Sequence, residues 1–198
     1  MSRGGPTPSV SLIIATYNWP VALDRVLASA MAQRSMPEQV VIADDGSTED
    51  TARVVERWRP AFGGRLLHVW RPDDGFRAGE VRNRAARDAT GDLLVFVDGD
   101  CLLRPDVIDR HRRLAEPGCA VAGNRVLLSR ELTEAIEAGR VNPLDWRLAD
   151  WLRARRAGEV GRLFPLLTLP GQAWRRSRPR HWLQFRSCNI AVWRDDFS

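Results

Sequence analysis

The sequence predicts an α/β fold with a Rossmann-like, mostly parallel sheet flanked by helices. Two observations support this prediction. Four short apolar runs rich in Val, Ile and Leu alternate with helix-like segments, and each run is continuously apolar rather than alternating with polar residues. Continuous apolar runs are typical of strands covered on both faces, and strand–helix alternation is typical of parallel sheets. A length of 198 residues, 44% of them hydrophobic, suits one domain with its own core.

The predicted strands and helices alternate strictly through the first half. We predict strands at residues 10–15, 39–43, 65–69 and 92–97. Between them, apolar residues at helical spacing predict helices at 21–32, 48–58 and 79–89. Ser47 or Thr48 is a suitable N-cap for the second helix, and Gly91 is suited to terminate the third.

The second half is less regular. Helices are predicted at 105–114, 130–138 and 144–156, and one or two strands at 120–128. Residues 158–180 are rich in Pro, Gly and Arg and predict an extended loop, after which 184–193 returns as a strand. This irregular helical and loop region forms the C-terminal third.

Cysteine usage and hydropathy indicate a cytoplasmic protein. The three cysteines are odd in number and irregularly spaced, which argues against a disulfide framework or a zinc knuckle and fits a reducing compartment. No apolar run approaches the roughly 20 residues of a spanning helix. The first residues also lack the layout of a secretory signal.

Positive charge is concentrated in the last third. Between residues 140 and 186, eleven arginines face three acidic residues, a net charge of +8 in a chain whose total is +5. Such a region favours an anionic partner: phospholipid, a phosphorylated glycan or nucleic acid. Nucleic acid is disfavoured, because core packing explains the tryptophans that interleave with the arginines more simply than base stacking.

A helix at 144–156 would be amphipathic. Leu144, Leu148, Trp151 and Leu152 would share one stripe, with Trp146 at its border and arginines beside it. Tryptophan beside arginine on such a helix is typical of a lipid headgroup interface. This predicts peripheral contact with the inner face of the cytoplasmic membrane, and the alternative is that the stripe contacts the core.

Polar clusters follow the predicted strands at the points where they end. Since the carboxyl ends of parallel strands meet at one edge of a sheet, these side chains are expected to line a common ligand crevice. The clusters contain Thr16, Tyr17 and Asn18, then Asp44, Asp45 and Ser47, then Asp73, Asp74 and Arg77, and finally Asp98 and Asp100.

Asp98 and Asp100 are the sharpest feature of this set. Residues two apart on extended backbone point the same way, and Gly99 leaves the space between the carboxylates open. Such a pair of hard oxygen ligands suits Mg²⁺ or Mn²⁺. The alternative is a surface turn, because Asp-Gly is a favoured turn pair.

Three more residues have two possible roles. Asp45 suits either a hydrogen bond to the imide N–H of a pyrimidine base or the cap of the following helix. Arg82 and Asn83 lie early in a helix, where a diphosphate can meet both the helix N-terminus and a guanidinium. Their alternative is a solvated helical face.

Four segments in order resemble the family 2 glycosyltransferases, which have the GT-A fold. They are SLIIATYN at 11–18, ADDGST at 43–48, DGFRAGEVRN at 74–83 and FVDGD at 96–100. Together they are far more specific than any one of them. NIAVWR at 189–194 also resembles a segment of bacterial enzymes that build lipopolysaccharide and related surface glycans.

The resemblance implies roles for residues. Thr16, Tyr17 and Asp45 would hold the nucleotide base, usually uracil, with Arg82 nearby. Asp98 would contact ribose or metal, and Asp100 would bind the metal that bridges the diphosphate. The implied reaction is an inverting single displacement from a UDP-sugar to a glycan or lipid-linked acceptor, in which Mn²⁺ or Mg²⁺ stabilises the leaving diphosphate and a general base deprotonates the acceptor.

The resemblance also implies a domain organisation. We expect a flexible tail at 1–8, a nucleotide-sugar-binding domain at 9–128 and the start of an acceptor-side region at 129–198. Family members continue into a Gly-rich stretch with an acidic pair that supplies the base, so the sequence predicts a truncated chain whose general base lies beyond residue 198. If a residue within the chain is the base, Asp195 and Asp196 are the first candidates.

Two rival functions have to be distinguished from this one. Sugar-1-phosphate nucleotidyltransferases carry a Gly- and Arg-rich phosphate loop near the first strand. This chain has ATYNWP at 15–20 in that position, which cannot provide such a loop. The remaining alternative is a catalytically incomplete fragment or a non-catalytic module that binds nucleotide, membrane or nucleic acid. Stabilisation by UDP with manganese, compared with stabilisation by an oligonucleotide, distinguishes them.

Overall fold

The computed structural model describes residues 7–167 and 186–197 of the chain. In these ranges the strands are β1 (Val10–Thr16), β2 (Gln39–Asp44), β3 (Leu66–Trp70), β4 (Leu93–Asp98), β5 (Val121–Ala122) and β6 (Asn189–Trp193). The α-helices are α1 (Pro20–Met31), α2 (Glu49–Phe62), α3 (Ala78–Arg87), α4 (Val107–Leu114), α5 (Arg130–Glu137) and α6 (Leu148–Arg156).

The strands form one six-stranded sheet in the order β3-β2-β1-β4-β6-β5. β1 to β4 are mutually parallel, and β6 is antiparallel to both β4 and β5. The chain passes outward from β1 to β2 and β3, then returns to place β4 on the other side of β1. The predicted mostly parallel sheet with flanking helices is thereby confirmed.

The core lies on both faces of this sheet. Successive strand residues point to opposite faces, so Leu12 and Ile14 face the cluster that contains α1 and α2, whereas Ile13 faces the cluster that contains α3. All three side chains are fully buried. This burial on both faces explains why the strands appear in the sequence as continuous apolar runs.

Two predicted elements differ from the structure. The predicted helix at 144–156 is divided into a 3₁₀ turn, Pro143–Asp145, and α6. The backbone of Arg147 is extended, with ψ of 168°, and its N–H donates to Asp150 Oδ2 at 3.0 Å, so α6 starts only after this residue. In the strand region at 120–128, only β5 and an isolated bridge between Leu128 and Val160 form.

The C-terminal predictions are confirmed where the structure describes them. The returning strand forms as β6, although residues 184 and 185 of the prediction lie outside the described residues. The predicted loop at 158–180 contains a short 3₁₀ helix, Phe164–Leu166, and residues 168–180 lie outside the described residues.

The fold has two compact units. The first, here called the sheet unit, comprises Met1–Ala122 with Arg186–Ser198, and the second unit comprises Gly123–Phe185. The functional boundary expected between residues 128 and 129 stays a prediction. Among the described helices, none combines the length and the apolar character needed to cross a membrane.

Candidate functional site

Three neighbouring strands end side by side at the carboxyl edge of the sheet. The register pairs Thr16 of β1 with Asp44 of β2, and Ala15 of β1 with Asp98 of β4. The polar residues that follow these ends are Tyr17 and Asn18 after β1, Asp45 after β2, and Asp100 after β4. This edge lies where the chain order reverses across β1 and β4, which is where open α/β sheets bind ligands.

Arg82 and Asp98 form a close ion pair at this edge. Arg82 Nη2 donates to Asp98 Oδ1 at 2.6 Å, and Nη1 donates to the carbonyl oxygen of Ala78 at 3.2 Å. Both side chains are less than one-third exposed, so water screens the pair less than it screens a surface pair. The buried Nε of Arg82 has no hydrogen-bond partner in the described part of the chain, so this donor is unsatisfied there.

Asp100 presents its carboxylate to solvent beside this pair. The ligand atoms of Asp98, Asp100 and Cys101 all lie within 4.8 Å of one another. The Cys101 thiol donates to Asp100 Oδ1 at 3.3 Å, and a soft sulfur ligand suits Mg²⁺ or Mn²⁺ less well than a carboxylate does. The two carboxylates are therefore the groups that fit Mg²⁺ or Mn²⁺.

Gly99 allows this acidic turn to lie against β1. Its N–H donates to the carbonyl oxygen of Ala15 at 2.7 Å, and a Cβ at this position would lie 3.0 Å from the same oxygen and 3.1 Å from Thr16 Oγ1. The Cys101 N–H also donates to the Asp98 carbonyl oxygen at 3.0 Å. The acidic pair thus lies in a turn, as the alternative interpretation expected, and this turn is fixed at the strand end.

Asp45 does not cap the following helix. Asp44 does not cap it either, since α2 has Thr48 as its N-cap without a side-chain cap bond. The Oδ1 of Asp44 accepts from the Ser47 N–H at 2.8 Å in the turn before the helix, and its Oδ2 contacts His68 Nε2 at 2.9 Å. Asp45 instead accepts from Arg71 Nη1 at 2.8 Å and from the Arg77 N–H at 2.9 Å. The segment after β3 therefore holds a buried carboxylate at the end of β2.

Arg71 was missed in the sequence interpretation. It is 3% exposed, and its guanidinium bonds Asp45, Asp74 and the carbonyl oxygen of Gly75. The available signal was an arginine directly after an apolar strand and before two aspartates. Asp73 also contacts this edge, since the Tyr17 hydroxyl donates to its Oδ2 at 3.0 Å.

Thr16, Asn18 and Asn83 differ in their surroundings. Thr16 is buried at the end of β1. Asn18 has a left-handed backbone, with φ of 46°. Its N–H donates to Ser47 Oγ, and its Oδ1 accepts from the Thr48 N–H. Asn18 therefore connects the end of β1 to the start of α2. Asn83 is exposed on α3 and has no bonded side-chain partner among the described residues. Only Arg82 of that pair is tied to the strand ends.

The structure excludes Asp195 and Asp196 from this edge. β6 runs antiparallel to β4, so Asn189 pairs with Val97 whereas Trp193 pairs with Leu93. After Trp193, the Arg194 N–H donates to the Asp92 carbonyl oxygen and Asp196 Oδ2 accepts from the Gly118 N–H, both at the end of β4 opposite Asp98. The ring of Phe197 reaches back along β4, where it stacks on Phe96. Neither aspartate is therefore placed beside Asp98 and Asp100, and the position of the general base stays a prediction.

Comparisons with known proteins identify the family. The sequence pattern of glycosyl transferase family 2 matches residues 11–166. Validoxylamine A glucosyltransferase of Streptomyces hygroscopicus subsp. limoneus is 38% identical over 103 residues, which are 51% of this chain and 22% of that protein. The matched part of the chain thus spans less than a quarter of the length of this relative.

Solved structures agree. A mannosyltransferase of Pyrobaculum calidifontis in complex with GDP-Man and Mn²⁺ matches with a TM-score of 0.53 and 26% identity, over 66% of this chain and 39% of that one. The M. tuberculosis glucosyl-3-phosphoglycerate synthase matches in fold, with a TM-score of 0.50 and 20% identity over 95% of this chain and 58% of that one. These findings confirm the expected GT-A fold, and the chain belongs to glycosyl transferase family 2.

Proposed function

We propose that the sheet unit binds the nucleotide-sugar donor of a metal-dependent, inverting glycosyltransferase. The observation that carries this proposal is the contact of Arg82 with Asp98 beside the exposed carboxylate of Asp100. The Arg82 cation, the Asp98 carboxylate that it holds and the solvent-exposed Asp100 carboxylate together suit a nucleoside diphosphate bound with a divalent metal. The Pyrobaculum neighbour in complex with GDP-Man and Mn²⁺ supports both parts of the proposal.

The nucleoside is proposed to bind at the ends of β1 and β2. Asp45 is held by Arg71 and by the Arg77 N–H, which fixes the direction of its carboxylate. Each carboxylate oxygen has a second lone pair, so Asp45 can still accept from the imide N–H of a base. Tyr17 is half-exposed and Thr16 lies beside it, so the tyrosine ring is available to the base. Uracil is the base that we propose, and guanine is the alternative.

The diphosphate is proposed to bind at the end of β4. Asp100 would hold Mn²⁺ or Mg²⁺, with Asp98 close by, and the Arg82 guanidinium beside them would supply positive charge for the phosphates. The metal, when bound, supplies positive charge against the charge that develops on the leaving diphosphate. The pair of Arg82 with Asp98 keeps a guanidinium aligned before the donor arrives, which avoids reorganisation during the reaction.

The acceptor is proposed to be a glycan or a lipid-linked glycan of bacterial surface polysaccharide or lipopolysaccharide synthesis. The exposed face of α6 supports contact with a membrane on which such an acceptor would lie. Leu148 and Leu152 are 70% and 49% exposed, four residues apart on one face of this helix. Arg155 and Arg156 follow on the next turn, and neither forms an ion pair with another described residue.

The apolar stripe predicted at 144–156 is only partly exposed in the structure. Trp151 is half-buried and its ring contacts that of Trp146 edge-on at 4.9 Å, and Leu144 precedes α6 in the 3₁₀ turn. Leu148 and Leu152 are the members that remain exposed. Exposed leucines beside arginines fit the boundary between lipid headgroups and acyl chains.

Nucleotide binding tests the donor proposal. Isothermal titration of the 198-residue chain with UDP and with GDP, each with and without Mn²⁺, should give metal-dependent binding of one of them. Thymidine diphosphate and a single-stranded oligonucleotide are the comparison ligands. If no nucleoside diphosphate binds in the presence of Mn²⁺, or if the oligonucleotide binds more tightly than all of them, the donor proposal is wrong.

A further inference from the structure

The exposed apolar side chains of the sheet unit are concentrated at the carboxyl edge. Six large hydrophobic residues of this unit are more than one-third exposed in the part of the chain that the structure describes. Five of them lie at or just after the carboxyl ends of β1 and β3: Tyr17, Trp19, Val21, Trp70 and Phe76. β1 and β3 are the two neighbours of β2, so these residues lie on either side of Asp45.

Phe76 is the most exposed member of this set, at 92%. Burial of a phenylalanine side chain typically stabilises a folded protein, and at Phe76 that stabilisation is not obtained. A single exposed apolar residue on a loose loop would need no explanation. The loop that carries Phe76 is not of that kind.

The residues on both sides of Phe76 are held by hydrogen bonds. Before it, the Gly75 N–H donates to Asp73 Oδ1 at 3.2 Å, and the Gly75 carbonyl oxygen accepts from the buried Arg71 at 3.4 Å. After it, the Arg77 N–H donates to Asp45 Oδ2 at 2.9 Å, and Arg77 Nε lies 3.1 Å from Asp74 Oδ1. The fixed backbone therefore presents the phenyl ring to solvent, as a preorganised contact does.

The same loop is tied to the two residues proposed to contact the base. Asp73 accepts from the Tyr17 hydroxyl, and Arg71 and Arg77 hold Asp45. Gly46, directly after Asp45, has a φ of 97°, and a Cβ there would lie 2.6 Å from the Cα of Asp73. The loop is thus fitted against the nucleoside end of the proposed site, whereas the acidic pair lies at the end of β4.

We propose that Phe76 is a second aromatic contact for the nucleoside of the donor, and that Asp73 positions Tyr17 as the first. Bases stack on aromatic rings, and an exposed phenyl ring on the loop that holds the Tyr17 hydroxyl offers such a face. This inference rests on the donor-binding function proposed above. It assigns Phe76 to the nucleoside, as distinct from the transferred sugar or the acceptor.

The test compares Phe76→Ala with Phe76→Tyr in calorimetric titrations with UDP, UMP, GDP and GMP in the presence of Mn²⁺. Phe164→Ala is the matched control, because Phe164 is also exposed, at 59%, but belongs to the second unit. Phe76→Ala should weaken binding of the nucleotide that wild type prefers by about tenfold. The loss should be the same for its mono- and diphosphate forms, since stacking acts on the base. Phe76→Tyr and Phe164→Ala should bind as wild type does.

Three results would overturn the inference. Phe76→Ala could bind like wild type, it could lose affinity only for the diphosphate, or Phe164→Ala could lose as much. Because Phe76 is solvent-exposed, its replacement should leave the melting temperature unchanged, so a loss of binding would not reflect unfolding. If wild type binds none of the four nucleotides, the donor function itself is contradicted, and the inference with it.

Discussion

Arg71 and Asp45 form a buried ion pair that joins the end of β3 to the end of β2. Arg71 Nη1 lies 2.8 Å from Asp45 Oδ1, and the two side chains are 3% and 5% exposed. The second oxygen of Asp45 accepts from the Arg77 N–H, so the pair fixes the whole turn before α3. A carboxylate proposed to contact the base is therefore positioned by an arginine 26 residues further along the chain.

Removal of Arg71 should strongly destabilise the protein. Arg71→Ala leaves Asp45 buried without its main cation, which typically costs about 3–5 kcal/mol. Arg53→Ala is the control, because Arg53 pairs with Asp50 where both side chains are about 70% exposed, and its loss should cost less than about 1 kcal/mol. Urea unfolding measures both variants, and similar losses for the two would contradict the buried role of Arg71.

Replacement of Gly46 should disturb the site as well as the fold. Gly46 and Gly64 both have positive φ, 97° and 85°, but only at Gly46 would a Cβ meet other atoms. Gly64→Ala should therefore cost about 1–2 kcal/mol of backbone strain and leave nucleotide affinity unchanged. Gly46→Ala adds a clash with the backbone of Asp73, so we expect a larger loss of stability together with weaker nucleotide binding. If Gly46→Ala and Gly64→Ala lose the same stability in thermal unfolding and bind nucleotide equally well in calorimetry, this account is contradicted.

His111 should make stability depend on pH. Burial lowers the pKa of His111 below its ordinary 6.5, against the opposing effect of its hydrogen bond with Asn189. As pH falls below about 6.5, the unfolded chain takes up a proton that the folded protein resists, so stability is lost over this window. The variant His111→Gln lacks this contribution.

Unfolding free energies at pH 7 and pH 5 measure the effect. Wild type should lose more stability between these two values than His111→Gln does, because other titrating groups contribute equally to both proteins. If wild type and His111→Gln lose the same stability between pH 7 and pH 5, the pKa of His111 is not lowered by folding.

The exposed face of α6 should bind anionic membranes. Vesicles that contain phosphatidylglycerol should sediment the protein at low salt, because each arginine near such a surface contributes on the order of 1 kcal/mol. Neutral phosphatidylcholine vesicles should not. Arg155→Gln with Arg156→Gln should abolish binding, and Leu148→Ser with Leu152→Ser should weaken it, whereas Arg53→Gln on α2 is the control. If wild type stays in the supernatant with both kinds of vesicle, the membrane contact is refuted.

The sequence predicted what depends on local pattern. Burial on both faces makes β1, β2 and β4 largely apolar, and the polar residues where they end were therefore visible as candidates. The side of the sheet on which β6 lies was not visible, because strand pairing over long separations leaves no local signal. That pairing decides that Asp195 lies away from the site. The ion pair of Arg71 with Asp45 was missed for the same reason.

Hydrogen bonds between side chains and the backbone explain why the helix predicted at 144–156 is divided. The apolar spacing at 144–156 predicts one helix, but Asn142 Oδ1 accepts from the Leu144 N–H and Asp150 accepts from the Arg147 N–H. These bonds stabilise two separate helix starts. The exposure of Phe76 could not be predicted either, because an apolar residue in a sequence is expected to be buried.

The central claim is that Asp100 binds the divalent metal that accompanies a nucleoside diphosphate, and Mn²⁺ electron paramagnetic resonance tests it most directly. Titration of Mn²⁺ in the presence of the preferred diphosphate measures free metal for wild type, Asp100→Asn and the exposed control Asp50→Asn. Loss of a charged oxygen ligand should weaken Mn²⁺ binding by Asp100→Asn at least about tenfold and leave Asp50→Asn unchanged. Equal Mn²⁺ affinity in wild type and Asp100→Asn would contradict the account.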